Sequence, residues 1–371
     1  MAEPVTAPDS EPGGPQVGPA LLEARQIVKV FGQHRALDTV DFDVRAGEVH
    51  ALLGENGAGK STLIKILTGA LHPDGGEVRV DGQPVSLRDP LQAQGLGIGT
   101  VYQEVNLLPN RSVAENLFLG RQPTRFGLVR KGEIERRSRV ILDPYGLDID
   151  VRAELGTYSV AVQQIVAIAR AVELSGKVLV LDEPTASLDH DEVERLFGVV
   201  RRLKSQGLAI VFITHFLDQV YDLADRVTVL RNGRRVDTRD LRGLGQTELV
   251  RMMLGKDLGI VHAIGGGPEA ELGPEVVAFD GLGRRGAVHP FTLSLHEGEV
   301  VGVAGLLGSG RTEMARLMFG ADAADCGEVR MDRRRLSLRR PAQAVAAGLG
   351  FCPEDRKRDG IFGELSVREN I

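Results

Sequence analysis

The chain has 371 residues, of which 42% are hydrophobic, so it is long enough for two domains with buried cores. Its formal charge of −6 argues against a general nucleic-acid-binding surface. No run of 18 apolar residues occurs, so we predict no membrane-spanning helix and expect any role at a membrane to require a partner. The two cysteines, Cys326 and Cys352, lack a metal-ligand spacing and are typical of a reduced, cytosolic protein.

The first 20 residues are predicted to form a disordered tail. They contain five prolines and three glycines and few apolar residues, a composition that cannot bury a core. They also lack the basic start and the apolar stretch of a signal peptide. We therefore place the first domain after this tail, at residues 21–255.

The first domain alternates strand and helix patterns. Val49–Leu53 is an apolar run that ends at a glycine-rich loop, and residues 60–70 then show helical apolar spacing. Further buried strands are predicted at residues 178–181 and Ala209–Ile213, and residues 111–175 are predicted to be mostly helical. Hairpin turns are predicted at Asp81-Gly82 and Asn232-Gly233. The pattern predicts an α/β fold with a helical insertion and some antiparallel strands.

The segment GENGAGKS at residues 54–61 matches the phosphate-loop pattern G-x-x-x-x-G-K-[ST]. Its glycines allow successive backbone N–H groups to point at phosphate oxygens, and the helix that follows adds its positive end. Lys60 would reach the β- and γ-phosphates, and the Ser61 hydroxyl would bind Mg²⁺. The sequence thus predicts a site for ATP and Mg²⁺, with ATP contacts from Gly54, Glu55, Asn56, Gly57, Ala58, Gly59, Lys60, Ser61 and Thr62.

The second motif is acidic: VLVLDE, at residues 178–183, places two carboxylates at the end of an apolar strand. Asp182 would hold Mg²⁺ through water, and Glu183 would polarise the attacking water. The alternative is an exposed acidic strand end of no catalytic role. The phosphate loop in the same domain favours the catalytic interpretation.

The segment PTASLD follows directly, at residues 184–189, and here the chain resembles the ABC-transporter ATPase family. The resemblance implies that Gln103 senses the γ-phosphate, contributes to the metal site and faces a permease, and that Asp189 crosses a dimer interface. It also implies that His215 contacts the γ-phosphate and that Phe31 stacks on adenine. The alternatives are a helix-terminal polar residue for His215 and a core residue for Phe31.

The chain also repeats itself. The GEV triplet at residues 47–49 recurs at 298–300, a shift of 251 positions, and many glycines recur at the same shift. Such a period indicates two tandem domains rather than a solenoid. We place a linker at residues 256–274 and the second copy at 275–371, which contains the opening portion of the unit. The fold class that the resemblance implies is an α/β ABC cassette of the phosphate-loop NTPase type, with an antiparallel β subdomain and a helical subdomain, followed by a partial second copy.

The second copy resembles the degenerate second cassette of tandem-cassette sugar-importer ATPases, of the ribose, xylose and galactose type. Two segments carry the resemblance, GLLGSGRTE at residues 305–313 and EDRKRDG at 354–360. Arg311 replaces the phosphate-loop lysine, and a forked guanidinium cannot act as a compact point charge between phosphates. We therefore expect a second loop that binds nucleotide and hydrolyses it poorly, built on Gly305, Gly310, Arg311 and Thr312.

The family signature, roughly LSGGQ, is also altered. Residues 158–163 read YSVAVQ, so Ser159 and Gln163 remain while both glycines are replaced. Close approach of this backbone to a phosphate is compromised, because the new residues carry side chains. In the family each nucleotide lies between one phosphate loop and the signature of the opposite cassette. One intact half-site is thus expected, in the first domain.

The resemblance implies the ATP-binding subunit of a monosaccharide importer, peripheral at the cytoplasmic face of the cell membrane. The expected partners are transmembrane permease subunits, a second nucleotide-binding domain or a homodimer and, indirectly, a sugar-binding protein; no nucleic acid is expected. Two alternatives remain. The chain is a non-transport ABC ATPase of a nucleic-acid or ribosomal complex, or it is an ABC module with little turnover.

Overall fold

The structure is a computed structural model that describes residues 19–102, 107–186, 188–255, 272–305, 309–331, 334–353 and 360–371. The chain divides into two compact units, residues 1–261 (the first unit) and 262–371 (the second unit). Most of the predicted tail and of the predicted linker lies outside the described residues. No helix in the described part of the chain is both long and apolar enough to cross a bilayer.

The centre of the first unit is a six-stranded sheet with the order β12-β11-β3-β10-β9-β6. Five of its strands are parallel and β12 pairs antiparallel to β11. β3 and β10 are buried along their whole length, as expected for parallel strands covered on both faces. The strands are β3 (Val49–Leu53), β6 (Ile98–Val101), β9 (Val178–Asp182), β10 (Ala209–Ile213), β11 (Arg226–Arg231) and β12 (Arg234–Asp240).

Helices cover this sheet through apolar stripes. The longest, α6, buries Leu196, Phe197, Val200 and Leu203, a spacing that places all four on one face. Asp189 and Glu192 close a capping box at its start. The helices around the sheet are α1 (Lys60–Leu67), α5 (Val160–Leu174), α6 (His190–Ser205), α7 (Leu217–Leu223) and α8 (Gln246–Leu254).

An antiparallel sheet with the order β2-β1-β4-β5 forms the predicted β subdomain. Its turn at Asp81-Gly82 has positive φ at both residues, as the sequence pattern predicts for a tight hairpin. β1 begins at Ala20, one residue before the predicted start of the domain. The elements are β1 (Ala20–Phe31), β2 (His34–Arg45), β4 (Gly75–Val80), β5 (Gln83–Val85) and the helix α2 (Pro90–Gly95).

The segment at residues 111–175 is helical, as predicted, but it also contains a short hairpin. Phe126 and Gly127 form the turn of this hairpin and both have positive φ. The turn was not predicted, because it lacks the Asn-Gly or Asp-Gly pair that is typical of such turns. The helices enclose a small core of their own that includes Val113, Phe118 and Leu142. The elements are α3 (Val113–Leu117), β7 (Thr124–Arg125), β8 (Leu128–Val129) and α4 (Lys131–Leu142), followed by α5.

The second unit contains an antiparallel sheet with the order β14-β13-β15-β16, the same connectivity as β2-β1-β4-β5. Its core comprises Val277, Phe279, Leu282, Leu317 and Val329. The elements are β13 (Glu275–Arg284), β14 (Val288–His296), β15 (Cys326–Met331), β16 (Arg334–Leu336), α9 (Arg311–Phe319), α10 (Pro341–Ala346) and α11 (Val367–Asn370).

Candidate nucleotide site

The phosphate-loop segment joins the buried strand β3 to the first residue of α1, and its backbone demands glycine. Gly54 has φ +150° and a Cβ there would collide with the carbonyl oxygen of Leu230. Gly59 has φ +103° and a Cβ would lie 2.8 Å from the carbonyl oxygen of Ala36. These residues therefore let the loop curl tightly against two neighbouring strands.

Lys60 opens α1 and lies over the loop. Its Nζ donates to the carbonyl oxygen of Gly54 at 2.6 Å and to that of Glu55 at 3.0 Å. Burial lowers the pKa of Lys60, while the nearby charges of Glu183 and Asp182 act in the opposite direction. The ammonium group is thus held between the loop and two carboxylates, where a phosphate would meet it.

The two acids of the second motif end β9 beside β3 and β10. Burial raises the pKa of Asp182, the neighbouring Glu183 raises it further, and Lys60 and Lys65 lower it. Glu183 has φ +48°, a left-handed conformation that is strained for a residue with a side chain. Its N–H donates to the carbonyl oxygen of Ile213 at 2.9 Å, which fixes the carboxylate at the end of β10.

His215 follows β10 and meets the same carboxylate. Its Nδ1 lies 3.5 Å from Oε1 of Glu183, and its ring contacts the ring of Phe216 with the centroids 4.1 Å apart. The carboxyl ends of neighbouring parallel strands lie at one edge of a sheet, which brings these two residues together although they are distant in sequence.

A cavity of about 450 Å³ collects most of the predicted residues. Its wall includes Phe31, whose side chain is 48% exposed rather than part of the core, with Lys29 Nζ 5.6 Å from the ring centroid. His34 and Ala36 also line it, and sequence reasoning missed both. The sequence could have indicated both residues, because β2 begins directly after a two-residue turn and returns beside Phe31. The remaining wall residues are Asn56, Gly57, Ala58, Gly59, Lys60, Ser61, Thr62, Asp182, Glu183 and Ile213.

The predicted signature and interface residues do not line this cavity. Ser159 accepts from the N–H of Val162 at 3.5 Å as the N-cap of α5, and Gln163 Nε2 donates to the carbonyl oxygen of Tyr158 at 2.9 Å. Asp189 accepts from the N–H of Glu192 at 2.8 Å. All three thus make local contacts at helix starts.

Two further predictions fall at the edge of what the structure describes. Gln103 lies outside the described residues, as do the positions equivalent to it in the second copy. In the second loop, Gly310 has φ +88° and precedes Arg311 and Thr312 at the start of α9, while Gly305 ends the described stretch before the loop. The candidate site is therefore built from the first unit.

A link behind the site was not foreseen from the sequence. Oε1 of Gln219, on α7, accepts from the hydroxyl of Thr185 at 2.7 Å and from that of Thr214 at 3.2 Å. Thr185 follows Glu183 by two residues, and Thr214 precedes His215. One amide thus ties together the two loops that carry the acid and the histidine.

Comparison with known proteins identifies the family. The family model described as "ABC transporter" matches residues 37–186 and 288–370. The chain belongs to the ABC transporter family. The two matched segments lie one in each unit, as the internal repeat predicts. The predicted family resemblance is confirmed.

Curated relatives of this ABC transporter family member carry sugar-transport names. The galactofuranose transporter ATP-binding protein YtfR of Escherichia coli strain K12 is 54% identical over 352 residues, which cover 95% of this chain and 70% of that protein. The ribose import ATP-binding protein RbsA 1 of Rubrobacter xylanophilus is 50% identical over 351 residues, which cover 95% of this chain and 70% of that protein. The resemblance to sugar-importer ATPases is thus confirmed at the level of sequence.

Solved ABC cassettes share the fold. A nucleotide-free ATP-binding cassette from an ABC transporter has a TM-score of 0.55 at 28% identity and covers 67% of this chain and 100% of its own. A cassette of another ABC transporter in its ADP conformation has a TM-score of 0.56 at 29% identity and covers 67% of this chain and 99% of its own. The predicted cassette fold is therefore confirmed.

Proposed function

We propose that the chain is the ATP-binding subunit of a monosaccharide importer and that it hydrolyses ATP in the first unit. The observation that carries the proposal is the convergence of Lys60, Asp182, Glu183 and His215 on one edge of the central sheet. The printed names of the relatives, galactofuranose transporter and ribose import ATP-binding protein, supply the transported class.

In this proposal the phosphates of ATP bind at the N-terminal end of α1. The N–H groups of the glycine loop and the positive end of the helix stabilise the negative charge. Lys60 exchanges the loop carbonyls for phosphate oxygens, which are better acceptors because they are charged. The exposed ring of Phe31 and the neighbouring His34 would flank the base end of the nucleotide.

The residues of the site fit Mg²⁺. Among the described residues, no group of three His, Cys, Asp or Glu side chains could hold a metal alone. Magnesium is commonly held by one or two protein oxygens together with substrate phosphates, so the Ser61 hydroxyl and the Asp182 carboxylate are a suitable pair. Burial and Glu183 raise the pKa of Asp182 and so disfavour its charged form. A cation bound there would act in the opposite direction and favour the carboxylate. The ion would neutralise charge on the phosphates.

Glu183 and His215 would then act on the attacking water. A carboxylate beside the γ-phosphate can orient the water and accept its proton. The imidazole, 3.5 Å from Glu183, can donate a hydrogen bond to the γ-phosphate while its other nitrogen faces the carboxylate. The hydrogen bonds to Gln219 would hold the loops that carry Glu183 and His215 in a fixed position relative to each other.

A second cavity, of about 320 Å³, is our candidate for permease docking. It lies between the sheet and the helical subdomain, and its wall includes Tyr102 and Leu107. Leu91, on α2, lines it with 78% of its surface exposed. The lining is mixed, with Leu91 and Leu107 beside Gln94 and Arg170, and would receive a partner helix that carries both apolar and polar side chains.

The altered signature favours a restricted second site. Ser159 and Gln163 bind local backbone groups, and no glycine lies between them. Together with Arg311, this supports a second site that binds nucleotide and hydrolyses it poorly.

Co-purification with a membrane permease and ATP-dependent sugar uptake by the reconstituted complex would test the proposal. We expect uptake of a pentose or hexose that is lost in Glu183→Gln. Association with ribosomes or nucleic acid, without a permease, would instead support a non-transport ABC ATPase.

A further inference from the structure

The hairpin formed by β7 and β8 projects apolar side chains into solvent. Its strands pair through Thr124 with Val129 and Arg125 with Leu128. At its end Phe126 is 91% exposed and Leu128 75% exposed. A large aromatic and a leucine next to each other on a surface lose the free energy that burial would provide. Adjacent exposed apolar residues of this kind indicate a contact with another surface.

The backbone of the turn does not explain the aromatic residue. Phe126 has φ +53° and Gly127 has φ +78°, so both central residues of the turn are left-handed. Glycine and asparagine suit such positions, whereas a bulky side chain is strained there. Neither packing nor turn geometry therefore favours phenylalanine at this point.

The hairpin is also the centre of a basic stretch in an acidic chain. Residues 116–132 contain four Arg or Lys residues and no Asp or Glu. Over residues 121–139 there are seven Arg or Lys residues and two glutamates, although the whole chain carries −6. Arg125, Arg130 and Lys131 are exposed, and the guanidinium of Arg125 lies 5.3 Å from the ring centroid of Phe126.

The base of the hairpin is anchored to the helical subdomain. The N–H of Arg130 donates to the carbonyl oxygen of Pro123 at 2.9 Å and closes the loop. Arg121 Nη2 donates to the carbonyl oxygen of Leu117 at 3.1 Å, and its guanidinium lies 5.4 Å from the ring centroid of Phe118. The exposed tip is therefore presented from a structured base.

We propose that the hairpin surface, defined as Arg125, Phe126, Leu128, Arg130 and Lys131, binds the anionic headgroups of a lipid bilayer. Arginine and lysine near a bilayer are attracted to its negative surface potential. Aromatic and aliphatic side chains enter the interfacial region below the headgroups. Lipid is favoured over nucleic acid because an aliphatic side chain such as Leu128 partitions into the bilayer interface, whereas it lacks the ring that stacks on an exposed base. This contact is made by the chain itself and does not depend on a permease.

Sedimentation of the full chain with phosphatidylcholine vesicles, with and without phosphatidylglycerol, tests the proposal. We expect binding to the anionic vesicles and little binding to the neutral ones. The double variant Arg125→Gln, Lys131→Gln should lower the partition coefficient about 30-fold. Each cation near an anionic surface contributes about 1 kcal/mol of binding free energy, and the variant removes two. The double variant Phe126→Ser, Leu128→Ser should lower it at least about tenfold.

A charge-matched control removes two exposed arginines elsewhere in the first unit, with Arg242→Gln and Arg251→Gln. Its partition coefficient should equal that of the parent. Binding of an ATP analogue by every variant checks that the first unit remains folded.

Fluorescence provides a second, site-specific measurement. The chain contains no tryptophan, so Phe126→Trp places a single reporter at the tip. Its emission should shift to shorter wavelength with anionic vesicles, while Val345→Trp, at a position 63% exposed in the second unit, should not shift.

Three results would overturn the proposal. Equal binding to neutral and anionic vesicles would show that the cations play no part. Unchanged partitioning of both double variants, or unchanged emission at position 126, would show that the tip does not meet lipid. Tighter binding to an oligonucleotide than to vesicles, lost with the arginine and lysine but not with the apolar residues, would assign the surface to nucleic acid.

Discussion

The two copies of the repeat share one sequence pattern and differ in what surrounds it. Val49 begins β3 and is fully buried between β10 and β11, whereas its equivalent Val300 is 96% exposed. In the described part of the second unit no strand pairs with residues 300–305. The antiparallel sheets nevertheless have the same order in both copies. Hairpin sheets form from neighbouring segments, whereas a parallel strand needs partners that lie far along the chain.

The same contrast affects the glutamate of the repeated GEV triplet. Glu48 is 2% exposed and pairs with Arg226, from β11, at 3.1 Å. Glu299 instead accepts from the N–H of His296 at 2.8 Å, three residues away. A residue of identical local sequence thus makes a long-range buried ion pair in one copy and a local contact in the other. Five predictions test this contrast and the site of the first unit.

The largest expected effect is on turnover. Glu183→Gln should lower single-turnover release of phosphate from ATP about 100- to 10,000-fold, because the amide cannot accept the proton of water. ATP binding should remain. Asp191→Asn, an exposed acid at the start of α6, should behave like the parent. Equal turnover in Glu183→Gln and the parent would show that this acid is not the base.

Substitutions in the two phosphate loops should differ in their effects on ATP binding and turnover. Lys60→Ala should weaken binding of a fluorescent ATP analogue at the first site at least about 100-fold, because charged hydrogen bonds to phosphate are lost. Arg311→Ala, at the equivalent position, should change turnover little. Full affinity in Lys60→Ala, or complete loss of turnover in Arg311→Ala, would reverse the roles assigned to the two units.

Stability should depend on the long-range ion pair of the first unit. Arg226→Met should lower the free energy of unfolding by about 2 kcal/mol, because Asp43 and Glu48 lose their shared guanidinium and keep only Arg45 and His50 nearby, respectively. Denaturant unfolding measures this. His296→Gln, its counterpart in the second unit, should cost less, since that contact is local and half-buried and its backbone hydrogen bond remains. Equal losses in the two variants would contradict the comparison.

The same ion pair sets a pH dependence. Burial alone would raise the pKa of Asp43, but the hydrogen bonds and charge of Arg226 outweigh burial and hold it below its ordinary value. A carboxyl whose pKa is lower in the folded state stabilises the fold above its unfolded pKa, about 3.9, and that stability is lost as the pH falls through the folded value. Arg226→Met should therefore reduce the loss of stability on acidification below about pH 4.

The smallest effect concerns Gln219. Gln219→Leu leaves the hydroxyls of Thr185 and Thr214 without this acceptor and should lower the free energy of unfolding by about 1 kcal/mol. Gln219→Glu keeps an acceptor oxygen and should restore much of the phosphate-release rate lost in the leucine variant. A leucine variant with the parent rate would show that the link does not position the two loops.

Local patterns predicted much of this structure. The strand at Ala209–Ile213 has the predicted bounds, and the predicted strand at 178–181 extends by one residue. The predicted helix at 60–70 ends at Leu67. The Asn232-Gly233 pair makes the expected turn, with φ +50° and +74°. The hairpin with Phe126 at its tip was not predicted, because its turn lacks the Asn-Gly or Asp-Gly pair that usually indicates such a turn.

The sequence by itself determined the glycine loop, the buried strands, the hairpin turns and the family, because each depends on backbone freedom or on residues a few positions apart. Only the tertiary structure decided that Glu183 lies 3.5 Å from His215, that Gln219 joins their loops and that Glu48 meets Arg226. Those contacts join residues that are distant in sequence or lie on different elements. Parallel strands bring their carboxyl ends and the loops after them to one edge of the sheet, where Glu183 meets His215, and their amino ends to the opposite edge, where Glu48 meets Arg226.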